Sequence, residues 1–97
     1  MAMHNPPHPG EFIREIYLAL YDLSIRSLAE SLGISASTIT RLINGQSGIR
    51  PEMALRLSKA VGRSPESWFA MQHNYDLWQA RQRTNLENVD KVEFEAA

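Results

Sequence analysis

The stretch that most limits what this chain can become is residues 26–45, RSLAESLGISASTITRLING. Two short amphipathic segments meet in it at one glycine. Leu28, Ala29 and Leu32 share one helical face, and Ile39, Leu42 and Ile43 share a second. Gly33 between them suits the left-handed backbone that ends a helix. Ser35 suits the N-cap of the next one. Alanine followed by glycine four residues on and isoleucine six further on is a demanding pattern for an ordinary helical hairpin.

Two helices joined by so short a glycine turn make a helix-turn-helix. Its second helix has an unusual polar face: Ser35, Ala36, Ser37, Thr38, Thr40, Arg41 and Asn44. Short hydroxyl residues are mediocre helix formers, whereas a merely solvated face favours Glu and Lys. They do suit a helix that must enter the major groove. Ser and Thr bond to several bases, an Arg fork matches guanine and an Asn amide matches adenine. No acidic residue lies between Ser35 and Gln46 to repel phosphate. The DNA-binding set predicted from this pattern is Arg26, Ser27, Ser35, Ser37, Thr38, Thr40, Arg41, Asn44, Gln46 and Ser47. The alternative is a plain helical hairpin with a polar outer face, and the complete pattern weighs against it.

Charge needs attention, because the whole chain carries −1. Its distribution is uneven. Residues 26–63 hold Arg26, Arg41, Arg50, Arg56, Lys59 and Arg63 against Glu30 and Glu52, a net +4. Residues 84–97 hold Glu87, Asp90, Glu93 and Glu95 against Lys91, a net −3. A basic middle and an acidic tail suggest different partners for different regions, with ordinary scatter in a small protein as the alternative.

With 97 residues the chain has room for one domain and one modest core. Three segments are predicted: a flexible arm over 1–8, a helix-turn-helix domain over 9–85 and a tail over 86–97. Cysteine is absent, which excludes disulfides and thiol chemistry. No apolar run approaches membrane-spanning length, and MAMHNPPHPG has no apolar signal core. The expectation is a soluble cytoplasmic protein with no membrane partner. No cofactor and no metal are expected. His4 and His8 in the arm lack a carboxylate or Cys partner, so a solvated arm outweighs a metal site. The scattered histidines make no catalytic arrangement with Ser and Asp, so no enzyme is expected.

The remaining elements follow from periodicity and caps. Residues 11–23 form a first helix with a buried stripe of Phe12, Ile13, Ile16, Leu20 and Leu23. Tyr17 and Tyr21 lie on its flank, as half-buried core or as a partner-facing patch. Ser24 is a candidate N-cap for the helix over 25–32. The loop 44–48, NGQSG, either grips phosphate through backbone N–H groups and small side chains, or simply stops the helix, or does both. Residues 50–61 form a fourth helix with Pro51 at its start; Met53, Ala54, Leu57 and Val61 face the core and Gly62 stops it. Ser64 and Pro65 open a fifth helix. There Trp68, Met71, Tyr75 and Trp78 recur at seam spacing beside Phe69. Trp68 and Phe69 fit the chain's own core or a dimer seam equally, and Trp78 suits the seam better. The candidate dimer-interface set is Trp68, Met71, Tyr75 and Trp78. The VEFE segment near the end alternates, and either pairs as a short strand with a partner or stays unstructured.

Taken together, these stretches name a family. HPGEFIRE, LAESLGISASTITRLINGQSGIRPEMALRLSKAVG and SPESWFAMQHNYDLWQA resemble the Xre/lambda-repressor-like helix-turn-helix proteins, and more narrowly the HigA-type antitoxins of bacterial toxin–antitoxin modules. The resemblance covers about residues 8–80. It implies an all-α, five-helix lambda-repressor-like DNA-binding domain with an extended N-terminal arm and a short acidic C-terminal tail. It also implies a homodimer that reads double-stranded operator DNA through Ser35, Ser37, Thr38, Thr40 and Arg41, represses its own operon and neutralises a small ribonuclease toxin. The recognition helix lacks the Gln pair of many phage repressors. A stand-alone or phage-type repressor without a toxin partner is the alternative, and a helical interaction module without DNA binding is a third.

Overall fold

A computed structural model describes residues 5–95 of the chain. Among the described residues there are five α-helices and no strand: α1 (Pro9–Ile13), α2 (Ile25–Leu32), α3 (Ala36–Ile43), α4 (Pro51–Val61) and α5 (Pro65–Arg83). The caps fall where local chemistry places them. Ser24, Ser35 and Ser64 each accept a backbone N–H from three residues on, satisfying one of the orphan donors of the first turn. Gly33 ends α2 at φ 71°, and Ile34 N–H returns to Ala29 O at 3.0 Å. Pro51 and Pro65 open α4 and α5 at positions that need no N–H.

The core is filled from every helix. Ile13 of α1, Leu28, Ala29 and Leu32 of α2, and Ile39, Leu42 and Ile43 of α3 are buried, as are Ala54 and Leu57 of α4. Met53 and Val61 pack on the core from its edge. Trp68 is 0% exposed, and its indole N–H donates to Gly62 O at 2.9 Å. Phe12 meets the Trp68 ring edge-on at 5.7 Å.

Three sequence expectations are corrected. The first helix is not one α-helix over 11–23. From Arg14 to Leu20 it widens into π turns, and Tyr21 N–H bonds five residues back to Ile16 O at 3.0 Å. The wider turns rotate the far end of the intended stripe off the core, while Phe12 and Ile13 at its start keep their places in it. Tyr17 and Leu18 pack against it instead, while Leu20 is 70% exposed and Leu23 also reaches the surface. The second correction concerns the end of the arm. Pro6 is buried and His8 half-buried, so this part of the arm belongs to the domain; His4 lies outside the described residues. The third concerns the seam. Trp68 is locked in its own core, so it is not available to a second copy. Met71 packs on the same core, and Tyr75 meets the His8 ring at 4.9 Å. Trp78 is half-buried and its neighbour Leu77 exposed. After α5 the described part of the tail is exposed, and residues 92–95 form neither helix nor strand.

Candidate nucleic-acid interface

Helix α3 buries its apolar side and turns the other outward. Ser35, Ser37, Thr40, Arg41 and Asn44 are exposed, and Thr38 is half-buried. The hydroxyls are not equally free to read bases. Ser35 Oγ accepts from Thr38 N–H at 3.2 Å and shares hydrogen bonds with Ser37 Oγ at 3.1 Å and Thr38 Oγ1 at 2.8 Å. Ser35 and Thr38 therefore serve the helix start first. Thr40 Oγ1 donates to Ala36 O at 3.0 Å. Its proton is committed to the helix, so it faces outward as an acceptor with a methyl group beside it. Such a side chain meets the amino group of adenine or cytosine or the thymine methyl. Arg26 and Ser27 are exposed at the start of α2, the element next to α3.

The end of α3 is fixed by a Schellman pattern. Gly45 sits at φ 75°, its N–H returns to Leu42 O at 3.1 Å, and Gln46 N–H returns to Arg41 O at 2.9 Å. Ile49 N–H is also engaged, donating to Gln72 Oε1 at 2.7 Å. Within the loop 44–48 the backbone N–H groups of Gly45 and Gln46 are therefore committed to stopping the helix and are not offered to phosphate. The side chains of Gln46 and Ser47, both exposed, remain. Ser47, Arg41 and Arg50 line one cleft of about 440 Å³ between α3 and α4, together with Arg56 and the carboxylate of Glu52.

Basic residues divide into two groups. Arg56 Nη1 donates to Leu32 O at 2.8 Å, holding the end of α2, and Nη2 lies 3.7 Å from Glu52. Arg63 lies over the Phe12 and Trp68 rings at 5.2 and 5.7 Å and donates to Ser67 Oγ at 2.8 Å. Both serve the fold, so the positive charge offered to a partner is less than the sequence count suggests.

Sequence reading missed the residues that hold the interface in place. Gly10 packs on the backbone of Leu42 and Ile43 so tightly that a Cβ there would overlap it. Arg14 Nη1 donates to Ile43 O at 3.4 Å. His8 Nδ1 accepts from Gly10 N–H at 2.9 Å, and the same ring bonds to the backbone of Ser47. Burial pushes the His8 pKa below its ordinary value, against the opposing pull of Ser47, Asp76 and Glu11. The HPGE segment thus braces the far end of the recognition helix. One available signal was Gln72 itself, an amide four residues after Trp68 in an otherwise apolar stripe. Among the described residues no group of three or more His, Cys, Asp or Glu is placed to hold a metal, and no helix is long and apolar enough to cross a membrane.

A glycine-jointed helix pair, with an acid-free helix facing outward and braced at both ends, defines a helix-turn-helix protein. Comparison with known proteins agrees: the family model described as Helix-turn-helix matches residues 13–68. The uncharacterized HTH-type transcriptional regulator YddM of Escherichia coli K12 is 34% identical over 92 residues, covering 95% of this chain and 97% of that protein. Antitoxin HigA-1 of Vibrio cholerae serotype O1 is 36% identical over 79 residues, covering 81% of this chain and 74% of that protein. The structure of Pseudomonas aeruginosa antitoxin HigA with the higBA promoter matches with a TM-score of 0.80 at 33% identity, covering 91% of this chain and 96% of that one. The chain belongs to the Xre/lambda-repressor-like helix-turn-helix family, among its HigA-type members.

Proposed function

We propose that this chain is a sequence-specific DNA-binding antitoxin, and not an enzyme. It acts as a homodimer in the cytoplasm, represses its own toxin–antitoxin operon and neutralises a small ribonuclease toxin. The observation that carries the DNA-binding part is the outward face of α3. Ser37, Thr40, Arg41 and Asn44 stand exposed with no acidic residue from Ser35 to Gln46, and the helix beneath them is capped at both ends. That is a rigid, short, polar probe of major-groove width. A half-site of this size is too small to define a genomic address, and two copies reading half-sites about 34 Å apart supply one.

The toxin part rests on kinship with HigA-1 and on charge. An acidic tail carrying −3 complements the basic surface that a ribonuclease offers its own anionic substrate. YddM, which matches nearly end to end as a transcriptional regulator, favours a second reading as a stand-alone repressor. One experiment separates them. The DNA just upstream of this reading frame is titrated in a gel shift, and the adjoining small reading frame is co-expressed with a tagged copy of this chain. The antitoxin reading expects a specific shift, co-purification, and rescue of growth from the neighbour's toxicity. A specific shift with no co-purification and no growth effect leaves the stand-alone repressor.

A further inference from the structure

We propose that Gln72 is a positioning residue for operator binding: its amide, held in one orientation by Asp76, fixes the loop between α3 and α4 and so the separation of Arg41 and Arg50. This rests on the operator-binding reading above. Gln72 is 7% exposed and is the buried polar side chain among the described residues. Its Oε1 accepts from Ile49 N–H at 2.7 Å, across 23 residues of chain. Its Nε2 donates to Asp76 Oδ1 at 2.9 Å. The orientation is dictated by the partners, since a backbone N–H only donates and a carboxylate only accepts.

The consequence lies one residue further on. Arg50 follows Ile49 directly and shares the cleft with Arg41. The loop is anchored at its start by Gln46 N–H on Arg41 O and at its end by Gln72 on Ile49, which leaves Ser47 and Gly48 between the anchors. Gly48 makes room for the amide, because a Cβ there would lie 2.9 Å from Gln72 Cδ. His8 supports the same loop at Ser47. A loop held in this way presents Arg50 beside Arg41 of α3 without an ordering cost at the moment of binding. Without the amide, Ile49 N–H is buried and unpaired, and the loop must shift to find water.

Gln72→Glu retains an acceptor for Ile49 but turns a second carboxylate oxygen towards Asp76, where like charges repel. Adding Asp76→Asn reverses the donor and acceptor and restores the hydrogen bond. The upstream DNA fragment is titrated against the full-length wild type, both single variants and the double variant. Ile49 amide exchange is followed by NMR in the free proteins. Asp76→Asn alone keeps an oxygen that accepts from Gln72, only without the charge, so it should weaken binding by less than Gln72→Glu does. Gln72→Glu should bind about tenfold more weakly or worse, with Ile49 exchanging fast. The double variant should return to within about threefold of wild type, with Ile49 slow again. Wild-type affinity for Gln72→Glu, or a double variant no better than the single, overturns the proposal. If Gln72→Glu loses its helical signal, Gln72→Met removes the amide without adding charge, and undiminished binding by that variant is equally fatal. If the wild type ignores the DNA, the operator reading fails, while the Ile49 exchange pattern still decides whether Gln72 and Asp76 anchor the loop.

Discussion

Gly10 rests on the carbonyl oxygen of Leu42, with no room for a side chain between α1 and the end of the recognition helix. A Cβ at that position meets backbone rather than a flexible side chain, so the strain has no cheap outlet. Gly10→Ala is expected to destabilise the domain by about 1–3 kcal/mol, as overpacking of a tight core does. A urea or thermal midpoint measures it, and a midpoint equal to wild type would show that α1 simply moves aside.

Arg41 is the long basic side chain on the outward face of α3, exposed and lining the cleft with Arg50. Arg41→Ala is expected to weaken operator binding by about 1–3 kcal/mol with the fold intact. Gel-shift titration beside a circular dichroism melt tests both halves.

Salt dependence follows from how the basic residues are used. The net +4 of residues 26–63 includes Arg56 and Arg63, which hold the end of α2 and cover the Phe12 and Trp68 rings. The slope of log K on log salt should be clearly negative yet well short of about −10, the scale of a strongly basic repressor. A flat response would remove phosphate contacts as the source of affinity.

His8 makes stability pH-dependent. Its Nδ1 must be unprotonated to accept Gly10 N–H, and burial lowers its pKa from the ordinary 6.5 while Ser47, Asp76 and Glu11 pull the other way. The folded chain thus favours the neutral ring. The stabilisation is complete above 6.5 and is lost as pH falls through the lower folded value. His8→Asn keeps a capping side chain and removes the titration. Its thermal midpoint should fall less than that of the wild type between about pH 7 and pH 5. Parallel curves would show that His8 does not titrate in this window.

The two tryptophans should behave differently. Trp68→Ala opens a cavity in the centre of the core and is expected to cost about 3–5 kcal/mol, enough to unfold much of a marginal domain. Trp78 lies near the end of α5 beside exposed Leu77. Trp78→Ala is expected to leave a folded helical domain that sediments toward monomer and binds operator DNA more weakly. A folded, fully dimeric variant would place the seam elsewhere.

The sequence by itself determined what depends on residues within a turn or so of each other. Ser24, Ser35 and Ser64 cap helices because a hydroxyl reaches an N–H three residues away, whatever the rest of the chain does. Gly33 stops α2 for an equally local reason, the absence of a Cβ at positive φ. The apolar spacing in α2 and α3 assigned their buried faces, and the remainder of α3 was then visible as an outward polar face. Contacts between distant residues decided the rest. The π turns of residues 14–20 placed Tyr17 and Leu18, instead of Leu20 and Leu23, against the core. Nothing in the seam spacing told that Trp68 would fill the domain's own centre, because a helix of that pattern can face its own core or a second copy. Gln72 meets Ile49 across 23 residues, and His8 reaches both Ser47 and Tyr75. Each of these pairings depends on which surfaces meet once the helices pack. Local propensity carries no information about that, and it is the packed structure that holds the reading helix still.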